Sequence, residues 1–109
     1  MTRASLVVAA FAVCVLYPAE VDAQQQPAVQ RGLNFVRANC ARCHSIDKVS
    51  ESPLKIAPPF RTLHRKYPVE TLQEAFAEGI QTGHQNMPEY RLEGDQIGDV
   101  IAYLKTLEQ

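Results

Sequence analysis

The sequence predicts an all-α domain of about four helices behind a removable leader. Three observations carry this. Beyond residue 27, apolar residues recur at helical spacing in four separate stretches. No stretch has the strict alternation of a half-buried strand. The prolines fall at the starts of the helical patterns or between them. With 109 residues, 46% apolar and 21% charged, the chain has room for one domain and the composition of a folded one. A formal net charge of −1 gives no general attraction to nucleic acid or to an anionic membrane.

The leader comes first. Met1-Thr2-Arg3 is a short basic start, residues 4–16 are an apolar run, and Pro18 breaks it. Val21-Asp22-Ala23 ends on a small residue, so residues 1–23 read as a secretory signal peptide cleaved after Ala23. A membrane-spanning anchor is the alternative, but it needs about 20 apolar residues and this run is too short. Cys14 lies mid-run and leaves with the leader.

The domain is then residues 24–109, 86 in all, with ten basic and ten acidic side chains. A chain of that size buries only part of its surface and usually gains a disulfide, a metal or a cofactor. Only Cys40 and Cys43 remain. A bridge between them would close a small loop and stabilise little, so another staple is expected.

In chain order, Pro27 suits the first position of a helix, and Val29, Leu33, Val36 and Cys40 then share one helical face. Residues 45–58, with Pro53 and Pro58, read as a loop. Pro59 opens a short helix with Phe60, Leu63 and Tyr67 on one side. His64 on that helix reads as exposed. Pro68 ends the helix and opens the next, where Val69, Leu72 and Phe76 repeat before Gly79 stops it. Residues 80–92, with Gly83, Asn86 and Pro88, read as loop. The last helix has the clearest stripe: Ile97, Val100, Ile101, Leu104 and Leu107. Gln96 sits at the third position of a capping box and Leu92 is placed to staple onto Ile97. Glu93 is a weak N-cap residue, and Asp95 is the alternative.

One motif carries chemistry. Cys40-Ala41-Arg42-Cys43-His44 is Cys-x-x-Cys-His, the signature of covalent c-type haem attachment. Two cysteines three apart on a helical turn can each form a thioether to one haem vinyl group. The histidine that follows is placed to put an imidazole nitrogen on iron. A zinc site would need four ligands, and no second paired set is present. A thioredoxin-type pair would need a strand before its helix. Haem also supplies the missing staple.

For a sixth iron ligand, Met87 is the only methionine left after cleavage. A lone Met is usually core filler, but this one lies in a polar, turn-rich stretch. Thioether opposite imidazole is the pairing of electron-transfer haems. His84, three residues away, is the second candidate.

Taken together, residues 24–109 resemble a small bacterial class I cytochrome c. The resemblance rests on Gly32 and Val36 ahead of the motif, on Cys40, Cys43 and His44, on Ala57-Pro58-Pro59-Phe60, on Met87-Pro88, and on Val100-Ile101-Ala102-Tyr103-Leu104. Ala57 stands where the family has Gly, and Val36 is smaller than the frequent Phe. The resemblance implies a fold of about four helices around one covalent haem with His44 and Met87 on iron. It implies that the Pro58 carbonyl accepts from the His44 ring, that Phe60 lies in the haem site, and that Tyr103 lies against Gly32. It implies a monomeric periplasmic electron carrier, not an enzyme, that meets redox protein partners as donor and acceptor. A haem subunit dedicated to one periplasmic dehydrogenase or oxidase is the alternative; a peroxidase-like or gas-binding protein would need a labile Met87.

Charge is divided along the chain. Residues 24–67 carry eight basic and two acidic side chains, whereas residues 68–109 carry two basic and eight acidic. Such a division predicts a large dipole on a neutral domain. By the resemblance, the exposed haem edge lies near the thioethers, so Arg42, Lys48 and Lys55 are expected to face an acidic patch on a partner.

Overall fold

The computed structural model describes residues 12–17, 26–82 and 86–109. Residues 12–17 are exposed and form no regular structure. The rest of the leader, with the expected cleavage point after Ala23, lies outside the described residues, as does His84.

Helix α1 spans Ala28–Asn39. Pro27 precedes it as the N-cap residue, with extended ψ of 146°, rather than filling its first turn. Val36 is fully buried, but Val29 at the head of the expected stripe is 40% exposed. Gly32 takes the buried place instead. The reason is the neighbouring helix: a Cβ at Gly32 would strike the backbone carbonyl of Asp99 and come within 2.9 Å of Tyr103 Cβ. Only a residue without a side chain lets the two backbones approach that closely.

A 3₁₀ helix, Phe60–Arg65, follows the loop after α1, with Pro59 as its N-cap residue and Leu63 buried. Pro68 then opens a 3₁₀ turn, Val69–Thr71, that runs into α2, Leu72–Glu78. Val69 and Leu72 are buried. Gly79 ends α2 at a φ of 102°, a conformation that side-chain-bearing residues rarely adopt. The 80–92 segment is pinned at both ends. Ile80 N–H donates to the Tyr90 carbonyl at 2.9 Å in an isolated antiparallel bridge, and Leu92 N–H donates to the Phe76 carbonyl at 2.9 Å. No longer strand occurs among the described residues.

Helix α3, Gly94–Lys105, buries Ile97, Val100, Ile101, Tyr103 and Leu104. Leu107 is also buried, just past its end. Glu93, not Asp95, is the N-cap residue. It forms a capping box with Gln96, whose Oε1 accepts from the Glu93 N–H at 3.2 Å. Leu92 and Ile97 flank the cap in the same core cluster, as a hydrophobic staple requires. The α1/α3 crossing is braced at its edge by a two-pronged pair. Arg31 Nε and Nη2 each donate to an Asp99 carboxylate oxygen at 2.8 Å. Among the described residues no helix is long and apolar enough to cross a membrane.

Candidate haem site

The Cys-x-x-Cys-His segment prolongs α1 as a chain of tight turns. Cys40 N–H bonds the Val36 carbonyl at 2.8 Å, and His44 N–H bonds the Cys40 carbonyl at 3.0 Å. The motif is thereby held at the C-terminal end of a helix that is itself locked against α3.

The 57–60 segment closes over His44. Phe60 N–H donates to the Ser45 carbonyl at 2.9 Å, which draws the segment alongside the motif. His44 Nδ1 then lies 2.8 Å from the Pro58 carbonyl oxygen. A carbonyl can only accept, so Nδ1 carries the proton and Nε2 is left as the nitrogen with a free lone pair. The Phe60 ring packs on the imidazole at a centroid distance of 4.8 Å, tilted by 34°. Two separate contacts thus fix the ring's position and tautomer.

Cys40, Cys43, His44 and Met87 all line one cavity of about 370 Å³. That volume lies within the range of pockets that enclose small molecules. Its walls are apolar side chains from every helix: Val36, Leu63, Leu72, Phe76, Val100 and Leu104. Ala57, Pro58 and Phe60 complete the histidine side. Cys40 and Cys43 are both free thiols, and burial pushes the Cys40 thiol up to about 11, so it stays neutral near pH 7. Two free thiols, an oriented imidazole and a thioether around an apolar space fit a c-type haem. Each thiol can add its S–H across one vinyl group, and the ring system takes the place of a hydrocarbon core.

Met87 is half-buried on the rim of this space. His64 does not line it. That residue is half-buried rather than exposed, and its Nδ1 is buried with no hydrogen-bond partner among the described residues. Three supporting contacts, at Ser45, Asp47 and the Tyr103 hydroxyl, go beyond the sequence pattern. Ser45, 3% exposed, takes Ser52 Oγ on its N–H at 3.0 Å and Arg61 Nη1 on its Oγ at 3.2 Å. Asp47 Oδ1 accepts from the Val49 and Ser50 N–H groups at 2.8 and 2.6 Å, and holds the loop in a turn. The Tyr103 hydroxyl donates to the Ile46 carbonyl and ties α3 to the residues just after His44. Asp47 ahead of a serine is a recognisable turn signal; the other two contacts join residues far apart in sequence and leave no local trace.

The family model for cytochrome c matches residues 29–108. The chain belongs to the cytochrome c family. Comparison with curated proteins and with solved structures gives no match. As a cytochrome c, the protein binds c-type haem covalently, with Cys40 and Cys43 at the attachment spacing, and its chemistry is haem-based electron transfer with redox partners. The helical architecture described above is the family's all-α fold.

Proposed function

We propose that this cytochrome c is a bacterial periplasmic electron carrier with His44 and Met87 as the two axial ligands of one haem iron. The observation that carries the proposal is the meeting of His44 and Met87 on the walls of the cavity that also holds both cysteines. Haem iron supplies a one-electron couple when bound. The protein's part is electrostatic and steric. The Pro58 carbonyl and the Phe60 ring hold His44 so that Nε2 is the donor nitrogen. Met87 offers a neutral thioether, and Met/His ligation favours the reduced state. The apolar walls keep water away and disfavour the more highly charged oxidised state in the same direction.

With His44 and Met87 both holding the iron, no position would remain for a substrate or for oxygen. This supports a carrier over an enzyme, and a single electron passed through the exposed edge. Arg42, Lys48 and Lys55 are exposed around the motif and its following loop, and would meet an acidic partner surface. The periplasmic location rests on residues 1–23, and N-terminal sequencing of the exported protein should begin at Gln24.

Carbon monoxide tests the ligation. The ferrous wild-type holoprotein should be six-coordinate low-spin and refuse the gas, and Met87→Ala should bind it. A wild-type protein that binds carbon monoxide as readily as the variant would instead support the gas-binding reading.

A further inference from the structure

A c-type haem brings two carboxylates as well as an apolar ring, and the cavity walls hold few groups to receive them. Among the described lining residues Lys66 is the one Lys or Arg, and no Asp or Glu is present. Most other polar lining groups are committed. The Tyr90 hydroxyl donates to the Asn39 carbonyl at 3.0 Å, Asn39 Nδ2 donates to the Phe35 carbonyl at 2.9 Å, and Thr82 has a partner of its own. Asn86, next to Met87 in sequence, also lines the cavity without a side-chain partner among the described residues, but its amide carries no charge.

Lys66 and its neighbour Tyr67 differ from Asn39, Tyr90 and Thr82. Neither side chain has an ion pair or hydrogen bond to any described residue, although both line the cavity. Their backbones are fixed, since Lys66 N–H and Tyr67 N–H both bond the carbonyl of buried Leu63 at 3.0 and 3.2 Å. Pro68 follows and limits the chain further. Of the cations outside the cavity lining, Arg61 bonds the Ser50 carbonyl at 2.6 Å, Arg91 bonds the Glu78 carbonyl at 2.8 Å and Lys105 pairs with Glu70, whereas Arg42, Lys48 and Lys55 are exposed and do not line the cavity.

We infer that Lys66 and Tyr67 form the receiving site for one haem propionate, the ammonium as counter-charge and the phenol hydroxyl as hydrogen-bond donor. A carboxylate carried to the edge of an apolar cavity is strongly disfavoured unless it is paired and hydrogen-bonded. Lys66 and Tyr67 are the adjacent, unspent pair of groups that can do both. Burial pushes the Tyr67 hydroxyl above its ordinary range, so it keeps its proton and remains a donor at neutral pH. The inference rests on covalent haem in this cavity and not on Met87 as ligand.

The test uses the holoprotein and two readouts, the midpoint potential and the carboxylate bands of the redox-difference infrared spectrum. Removing a nearby positive charge favours the ferric state. Lys66→Gln should therefore lower the reduced-to-oxidised ratio at fixed potential about threefold, near 30 mV for one electron at about 59 mV per decade. Its carboxylate bands should shift, and so should those of Tyr67→Phe. Lys66→Arg should restore both readouts. Lys48→Gln, which removes an exposed cation outside the cavity lining, sets the background of long-range charge. A Lys66→Gln shift no larger than that of Lys48→Gln, or unmoved carboxylate bands in Lys66→Gln and Tyr67→Phe, overturns the assignment. A chain without covalent haem would give neither signal, which separates failure of this inference from failure of the reading beneath it.

Discussion

Gly32 and Asp99 meet backbone to backbone: a Cβ on residue 32 would collide with the Asp99 carbonyl, and Tyr103 closes the same gap from the next turn of α3. This crossing sets the end of α1, and hence the place where Cys40, Cys43 and His44 begin. Gly32→Ala should cost about 1–3 kcal/mol by overpacking. Thermal unfolding of the holoprotein should show the loss, with the haem spectrum at room temperature unchanged. A variant that melts with the wild type would mean that the helices are not in contact at this point.

On the histidine side, Phe60→Ala removes the ring that lies on His44 and leaves the Pro58 carbonyl as its remaining brace. Because Phe60 is half-buried, the expected cost is about 2 kcal/mol, below that of a fully buried Phe. Denaturant unfolding of the holoprotein measures it. The midpoint potential should move as well, because the imidazole is less firmly oriented.

Acid should act through Asp47. Its carboxylate accepts from Ser50 Oγ and from the Ser50 and Val49 N–H groups, which hold its pKa down to about 2 from 3.8. A carboxylate depressed on folding adds stability above its unfolded pKa and loses that contribution as pH falls through the folded value. The window is therefore from about pH 4 down to about pH 2. Asp47→Asn should be less stable than wild type at pH 6, with the difference shrinking across that window. Melting curves at several pH values check it; a gap that stays constant would remove Asp47 from the acid response.

Electron exchange with small inorganic reagents should report the basic surface. Oxidation by an anionic iron cyanide complex should slow as ionic strength passes about 0.1 M, where the Debye length is about 10 Å. Arg42→Glu with Lys55→Glu should slow it further and reverse the sign of the salt effect. Stopped-flow rates that ignore both changes would leave exchange to apolar contact at the haem edge.

How much of this was legible in the sequence depends on the kind of contact. α3 was readable almost residue by residue, because its stripe, cap and staple are all local. α1 is readable as a helix, but apolar spacing puts Val29 on its buried face, where the structure leaves it 40% exposed. Apolar periodicity does not register a glycine that is buried for its lack of a side chain, as Gly32 is. Cys40, Cys43 and His44 were readable because their chemistry needs them almost consecutive. Pro58 and Phe60 are drawn to His44 by the Phe60 N–H to Ser45 carbonyl and Leu54 N–H to Cys43 carbonyl bonds, which close a loop with no periodicity. For those two the resemblance supplied what spacing could not. The burial of His64 and the unspent pair at Lys66 and Tyr67 are purely tertiary, and no local pattern announces them.

The most direct measurement is a proton–carbon NMR spectrum of the ferrous, exported holoprotein labelled at the methionine methyl group. Residues 24–109 contain one methionine, Met87, so one methyl resonance is expected after removal of the leader with Met1. If Met87 ligates the iron opposite His44, its methyl group sits over the haem face and the ring current moves that resonance far upfield. A single strongly upfield signal is the predicted result. A single signal at the ordinary methionine position would contradict His44/Met87 ligation, and with it the closed-site electron carrier proposed above.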